Sequence, residues 1–159
     1  MAKSNGITIV QATEAHVENL KGRLRESDIQ EIRASSGRNP DFSLEMSWRL
    51  SPLCWAAEKQ DKQGTRTISI FGASRISLLS EKGIPWMLGS EELNGAGLEV
   101  GRCSRQYVLE MKRHFRLLEN YIDARQKRSI RWLQWCGFHV EPAEPYGVLG
   151  LPFHRFWWL

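Results

Sequence analysis

The sequence contains few of the residues that build disulfide frameworks or metal sites. It has three cysteines, Cys54, Cys103 and Cys136, and four histidines in 159 residues. No two of these stand at a spacing typical of structural zinc, and an odd number of cysteines does not make a disulfide framework. We therefore expect small core residues or free thiols, and no metal site.

Long apolar runs are lacking too. No segment approaches the roughly 20 apolar residues that a membrane-spanning helix needs. The opening residues, MAKSNGITIV, lack the apolar core of a signal peptide. Repeats, low-complexity segments and long linkers are missing as well. These absences predict a soluble, intracellular chain that is not secreted, with residues 1–159 in a single domain.

Basic residues outnumber acidic ones only in the second part of the chain. Residues 65–159 carry thirteen Lys/Arg and nine Asp/Glu, whereas residues 1–64 carry nine of each. Such an excess favours an anionic partner, which could be a phosphate-bearing ligand, an acidic protein or nucleic acid, or it forms solvated helix faces. The basic segments lack a recognised nucleic-acid-binding motif, so we do not expect nucleic acid to be the partner.

Hydrophobic periodicity predicts helices and strands in alternation. Strands are expected at residues 7–13, 53–59, 65–73, 84–90, 118–122, 138–142 and 152–159. Thr13 and Ser27 are predicted helix caps, a short helix is expected at 41–50, and the longest helix at 102–118 after a loop at 91–101. This order predicts a mixed α/β (α+β type) fold, in which helices flank a largely antiparallel sheet of six to seven strands.

The stretch NYIDARQKRSIRWLQWCGF, residues 120–138, combines a strand with a basic amphipathic helix. Asp123 is the predicted N-cap of this helix, and Gly137 suits the left-handed residue that ends it. With the preceding loop ELNGAG, residues 92–97, the element order resembles the Gcn5-related N-acetyltransferase (GNAT) family over nearly the whole chain.

The resemblance implies an acetyl-CoA-dependent acetyltransferase that acts on an amine. It assigns the pyrophosphate of the cofactor to the glycine-bearing loop and its pantetheine arm to the edge of the strand before that loop. The cofactor-binding residues that it implies are Trp86, Met87, Leu88, Asn94, Gly95, Ala96, Gly97 and Gln126.

Two positions depart from the family pattern. Glu92 stands where the family has a glutamine or a cation, and its charge would repel a pyrophosphate. Leu133 stands where the family places a tyrosine that protonates the leaving thiolate, and leucine donates no proton. The catalytic candidates are therefore Tyr121 as acid and Glu119 as base, with Glu58 and His139 as further possible bases.

A narrower resemblance covers the C-terminal half. The segments PWMLG (85–89), LENY (118–121), SIRWL (129–133) and PFHRF (152–156) are similar to GNAT-like proteins of tailed bacteriophages, which are related to the small internal virion protein of short-tailed phages. This resemblance implies a location in the host cytoplasm or the virion. It also leaves open a non-catalytic protein that assembles with other virion proteins.

Overall fold

The computed structural model describes residues 2–4 and 6–159, and within them the chain forms nine strands and five helices. The strands are β1 (Ala2–Ser4), β2 (Ile7–Gln11), β3 (Leu53–Asp61), β4 (Gly64–Ser74), β5 (Lys82–Gly89), β6 (Leu117–Asp123), β7 (His139–Val140), β8 (Glu144–Tyr146) and β9 (Leu151–Trp158). The helices are α1 (Glu14–Leu20), α2 (Glu26–Ser35), α3 (Pro40–Arg49), α4 (Glu92–His114) and α5 (Lys127–Cys136).

The strands form a sheet in the order β1-β2-β3-β4-β5-β6-β9-β7, with β8 paired to β9. All pairs are antiparallel except β5 with β6, which run parallel. The predicted mixed α+β class with a mostly antiparallel sheet is confirmed. The short strands β1 and β8 were not predicted, because three residues are too few to show a period-two pattern.

The sheet separates two cores. Successive side chains of a strand point to opposite faces, so that Ile70 packs in one core and Phe71 in the other. The first core includes the buried faces of α4 and α5, among them Val108 and Leu133. The second includes α1 to α3, for example Leu20. Helices therefore cover both faces of the sheet.

Helix α4 differs most from the prediction. The loop expected at 91–101 is wrong, since helical structure begins at Glu92 and runs to His114. Glycine is about 1 kcal/mol less favourable than alanine in a helix, and the glycines of this segment therefore predicted a loop. Burial of Leu93 and Val100 offsets that loss. The predicted end at residue 118 is also too late, because Phe115 is already extended.

The predicted helix boundaries have mixed outcomes. Thr13 is the N-cap of α1, as predicted, and Gly137 ends α5 in the left-handed conformation with φ 117°. Ser27 lies within the first turn of α2, whose N-cap is Arg25. Asp123 does not cap α5, because that helix starts at Lys127. The Asp123 carboxylate instead accepts a hydrogen bond from the Arg125 N–H.

None of the helices in the described part of the chain is long and apolar enough to span a membrane.

Candidate active site

Strands β5 and β6 pair over a very short distance. The parallel register joins Lys82 to Leu117 and Gly83 to Leu118 and goes no further. Beyond these residues the strands diverge, and the Asn120 side chain reaches across the gap to donate from Nδ2 to the carbonyl oxygen of Pro85 at 2.7 Å. A wedge-shaped opening in the sheet therefore begins just beyond this contact.

Among the residues that the structure describes, one on the β5 edge of the opening keeps its main-chain groups free. Because main-chain groups alternate along a strand, Pro85, Met87 and Gly89 face away from β4 and toward the opening. Proline has no N–H, and its carbonyl accepts from Asn120. Gly89 donates its N–H to Asp28 Oδ2, and its carbonyl accepts from the Arg25 N–H. Met87 is left with its N–H and C=O directed into the opening.

The β6 edge is capped by side chains. Asn120 Oδ1 accepts from the Tyr121 N–H at 2.8 Å, and Glu31 Oε2 accepts from the Asp123 N–H at 2.9 Å. Within the described chain, these two N–H groups of β6 are thus paired, whereas the N–H of Met87 on β5 is left to pair with an extended ligand.

A cavity of about 290 Å³, here called the sheet cavity, lies at this opening. Its wall combines apolar side chains of the sheet with polar groups from α2 and β6. The polar residues of this wall include Arg25, Asp28, Glu31, Asn120, Tyr121, Gln126 and Tyr146. A pocket of this size with few convergent polar groups suits a small organic molecule.

Glu31 is the titratable group most altered by this environment. Its pKa is raised to about 7, chiefly by burial and also by the nearby carboxylates of Asp28 and Asp123, against the lowering effect of hydrogen bonds from the Asp123 N–H and Gln126. The side chain therefore changes its charge near neutral pH.

A second cavity of about 320 Å³, here called the basic cavity, adjoins the first. Four cationic residues line it: Arg25, Arg125, Lys127 and Arg128. Its described lining residues include no carboxylate. Residues common to both cavities are Arg25, Met87, Gln126, Ser129 and Trp132, so the two spaces are continuous. The combined site could hold an elongated molecule with anionic groups at one end.

Helix α4 presents its glycines to this region in different ways. A Cβ on Gly101 would lie 2.8 Å from the Trp132 ring, so packing explains that glycine. Gly97 lines the basic cavity, yet a Cβ there would meet nothing within 4 Å. No contact within the described chain therefore accounts for this helical glycine, whereas a ligand lying close to the helix would. Gly95 is equally unobstructed but does not line either cavity.

Glu92 does not direct its charge into the basic cavity. Its carboxylate receives two hydrogen bonds from the Arg66 guanidinium, at 2.7 and 2.6 Å, and lies 4.0 Å from Lys59 Nζ. The hydrogen bonds from Arg66 lower the pKa of Glu92, which stays ionised and neutralised by this pair. The expected repulsion between Glu92 and a pyrophosphate is therefore wrong, because the carboxylate is already paired on β4.

The catalytic candidates from the sequence lie in different places. Tyr121 lines the sheet cavity, where its ring stacks on Tyr146 with centroids 4.1 Å apart. Glu119 lines neither cavity and forms ion pairs with Lys82 at 3.1 Å and Arg155 at 2.5 Å. Leu133 is buried in the wall of the sheet cavity.

The further possible bases lie outside both cavities as well. Glu58 is 3.6 Å from His16, and His139 stacks on Trp157. Of the possible acids and bases named from the sequence, only Tyr121 therefore lines a cavity.

The structure brings only part of the predicted cofactor set together. Met87 and Gln126 line both cavities, and Asn94 and Gly97 line the basic cavity. Trp86 and Leu88 also line the sheet cavity, but their main-chain groups pair with β4 and are not available to a ligand. Gly95 and Ala96 line neither cavity.

Several residues of the site were not found from the sequence. Asp28 and Glu31 come from α2 and Arg25 from its N-cap, in a segment whose pattern indicated only an amphipathic helix. Asn120 lay inside a predicted strand with no sign of its cross-strand contact. Their roles depend on contacts across long sequence separations, such as the bond between Glu31 and Asp123.

Comparison with solved structures identifies the fold. The spermidine N-acetyltransferase of Vibrio cholerae, solved with CoA and spermine, matches with a TM-score of 0.66 and 11% identity over 98% of this chain and 96% of that chain. The phosphinothricin acetyltransferase of Sinorhizobium meliloti, solved with AcCoA, gives 0.69 and 15% over 96% and 88%. A Gcn5-related N-acetyltransferase from Kribbella flavida gives 0.64 and 15% over 96% and 97%.

These similarities establish that the chain has the GNAT fold. No family model matches the sequence, and no curated protein matches it.

Proposed function

We propose that the protein is an acetyl-CoA-dependent N-acetyltransferase, a member of the GNAT superfamily that transfers an acetyl group to an amine. The observation that carries this proposal is the opening beside Met87, whose free main-chain N–H and C=O adjoin a cavity lined by four cationic side chains. Neighbours with the same fold were solved with CoA or AcCoA, which supports the same type of cofactor here.

The residues present fit acetyl-CoA. Met87 would pair with the amide groups of the pantetheine arm as an added strand would. Arg25, Arg125, Lys127 and Arg128 would receive the phosphates, with Gly97 allowing close approach to α4. When bound, the cofactor supplies an acetyl group activated as a thioester.

The sheet cavity is the proposed acceptor site. It joins the basic cavity at Met87, where the thioester end of the arm would meet it. Arg25 in the same wall neutralises Asp28, so Glu31 supplies the negative charge that favours an acceptor arriving as an ammonium ion. Tyr121, in the same wall, is the proposed donor of a proton to the leaving sulfur.

The cofactor site is tested by titrating acetyl-CoA into the protein and two matched variants in a calorimeter. Gly97→Asp places a carboxylate in the basic cavity and should weaken binding at least about tenfold through repulsion of phosphates. Gly95→Asp makes the same change on the same helix but outside the cavity, and should bind like the wild type. Equal affinities for both variants, or no binding to the wild type, would refute the proposal.

A second candidate function is a non-catalytic virion protein of a tailed phage. The buried Leu133, at the position of the usual tyrosine, favours it. So do the exposed aliphatic side chains of Ile76, Leu78 and Leu79, which a partner protein could cover. In this case the protein would reside in the particle, whereas the enzyme would act in the host cytoplasm. Mass spectrometry of purified particles, together with the acetyl-CoA titration, separates the two.

A further inference from the structure

Glu31 is held by one carboxylate oxygen while the other is free. Oε2 accepts from the Asp123 N–H at 2.9 Å and from Gln126 Nε2 at 3.2 Å. Oε1 accepts no hydrogen bond from any residue that the structure describes, and Glu31 lines the sheet cavity. The side chain is therefore fixed in orientation, with one oxygen available to a molecule in the cavity.

The carboxylate lies across the opening from Met87. The paired residues Gly83 and Leu118 set the register of the two strands. Four residues further along each strand stand Met87 and Ile122, and Glu31 is bonded to the main chain of the next residue, Asp123. An acetyl group brought to the Met87 edge would thus face Glu31 across the width of the opening.

Of the three neighbouring carboxylates Asp28, Glu31 and Asp123, Glu31 is the one without a cationic partner among the described residues. Asp28 pairs with Arg25 at 2.8 Å, and Asp123 pairs with Arg125 at 2.6 Å. These are the charged groups that face Glu31 from α2 and from the end of β6, and Tyr121 and Tyr146 are the other titratable groups on the cavity wall. Both neighbouring carboxylates are neutralised by arginine, which leaves Glu31 as the group able to bind a cation and to exchange a proton.

We infer that Glu31 is a catalytic residue that binds the acceptor as an ammonium ion and takes a proton from it, the acceptor being a small primary amine with an apolar body. This inference rests on the proposed function and adds to it the base and the substrate class. The apolar wall, which includes Ile32, Trp86 and Phe153, would receive the body of the amine.

The proton and electron balance is complete without any further reactant. Glu31 Oε1 takes one proton from the ammonium ion, and the freed lone pair on nitrogen attacks the thioester carbonyl carbon. The N–C bond forms, the C–S bond breaks, and the electron pair of that bond leaves on sulfur. The second proton lost by nitrogen ends on the sulfur, and Glu31 returns its own proton to solvent.

The test measures proton release when phenethylamine binds, by calorimetry at pH 6.5 in buffers of different ionisation enthalpy. A carboxyl group with a pKa of about 7 is mostly protonated at this pH, so an incoming ammonium ion should displace a proton from it. We expect a release of more than about half a proton in the wild type and none in Glu31→Gln. Glu26→Gln, on the same helix but outside both cavities, should release as much as the wild type.

Turnover of phenethylamine with acetyl-CoA gives the second readout. Glu31→Gln should lower kcat by about 10²-fold or more and remove the loss of activity below pH 7, while acetyl-CoA affinity stays unchanged. Equal proton release in Glu31→Gln and wild type, an unchanged pH profile, or no binding of phenethylamine would overturn the inference. A wild type that fails to bind acetyl-CoA would instead refute the proposed function itself.

Discussion

Asn120 connects β6 to β5 at the point where the two strands separate. Its Nδ2 donates to the Pro85 carbonyl at 2.7 Å, while its Oδ1 accepts from the Tyr121 N–H at 2.8 Å. One amide side chain thus satisfies a main-chain group on each strand that the missing ladder would otherwise leave unpaired. The Asn120 side chain therefore stabilises the two strands in their separated arrangement.

Asn120→Ala should destabilise the protein by about 1–2 kcal/mol, because both main-chain groups lose their partner in a partly buried place. Urea unfolding measures the loss, and hydrogen exchange should show faster exchange of the Tyr121 amide. Asn120→Asp keeps an acceptor for Tyr121 but places a carboxylate oxygen beside the Pro85 carbonyl, so it should lose stability while the Tyr121 amide stays protected. Unchanged exchange at Tyr121 in Asn120→Ala would show that the contact does not hold the opening.

Glu31→Gln should change how stability depends on pH. The pKa of Glu31 is raised to about 7 in the folded protein, so this group contributes stability that is present below about pH 4.5 and is lost as pH rises through 7. The variant, which has no such charge to bury, should match the wild type at pH 4. At pH 8 it should be more stable by roughly 3 kcal/mol, since the pKa of Glu31 rises from 4.5 to about 7 on folding.

The check is a set of urea unfolding curves at pH 4, 6 and 8 for both proteins. The difference between them isolates Glu31 from the other carboxylates, which titrate alike in each. A variant that is less stable than the wild type at pH 8 would contradict the burial of this charge.

Two glycines of α4 should respond to alanine with opposite signs. At Gly101 a Cβ would lie 2.8 Å from Trp132, whose indole N–H donates to the Gly101 carbonyl at 3.0 Å, so Gly101→Ala should cost about 1–3 kcal/mol. At Gly95 nothing lies within 4 Å, and Gly95→Ala should stabilise the helix by up to about 1 kcal/mol. Thermal unfolding of both variants measures the two effects. A Gly101→Ala protein that is as stable as the wild type, or more stable, would show that Trp132 does not pack against α4 in this way.

The sequence allowed the sheet to be predicted better than the site. Strand β4 was predicted from the alternation of residues 65–73, although a β-bulge opposite Ala57 and Glu58 directs Ile68 and Ile70 into different cores. Gly137 was predicted to end α5 because the left-handed position favours glycine. Patterns of this kind are local and can be read from neighbouring residues. They predicted the order of elements and hence the fold class.

The site depends on contacts that spacing along the chain does not encode. The bond from the Asp123 N–H to Glu31 joins residues 92 apart, and the pair between Arg66 and Glu92 joins residues 26 apart. The start of α4 was missed for a related reason, since three glycines within seven residues outweighed the burial of Leu93 and Val100. Tertiary packing determined the outcome at each of these positions.

The central claim, that the main chain of Met87 pairs with acetyl-CoA, is tested most directly by removing its N–H. Met87→Pro removes a donor that faces the opening, at a strand position equivalent to that of Pro85, so the protein should still fold. Met87→Leu keeps the donor and controls for the side chain. Leu88→Pro removes an N–H that pairs with β4 and should destabilise the sheet.

The measurement is the acetyl-CoA dissociation constant of these proteins by calorimetry. We predict that Met87→Pro weakens binding by about fivefold or more, since one lost hydrogen bond corresponds to about 1 kcal/mol, and that Met87→Leu binds like the wild type. A folded Met87→Pro protein that binds acetyl-CoA with wild-type affinity would contradict the account.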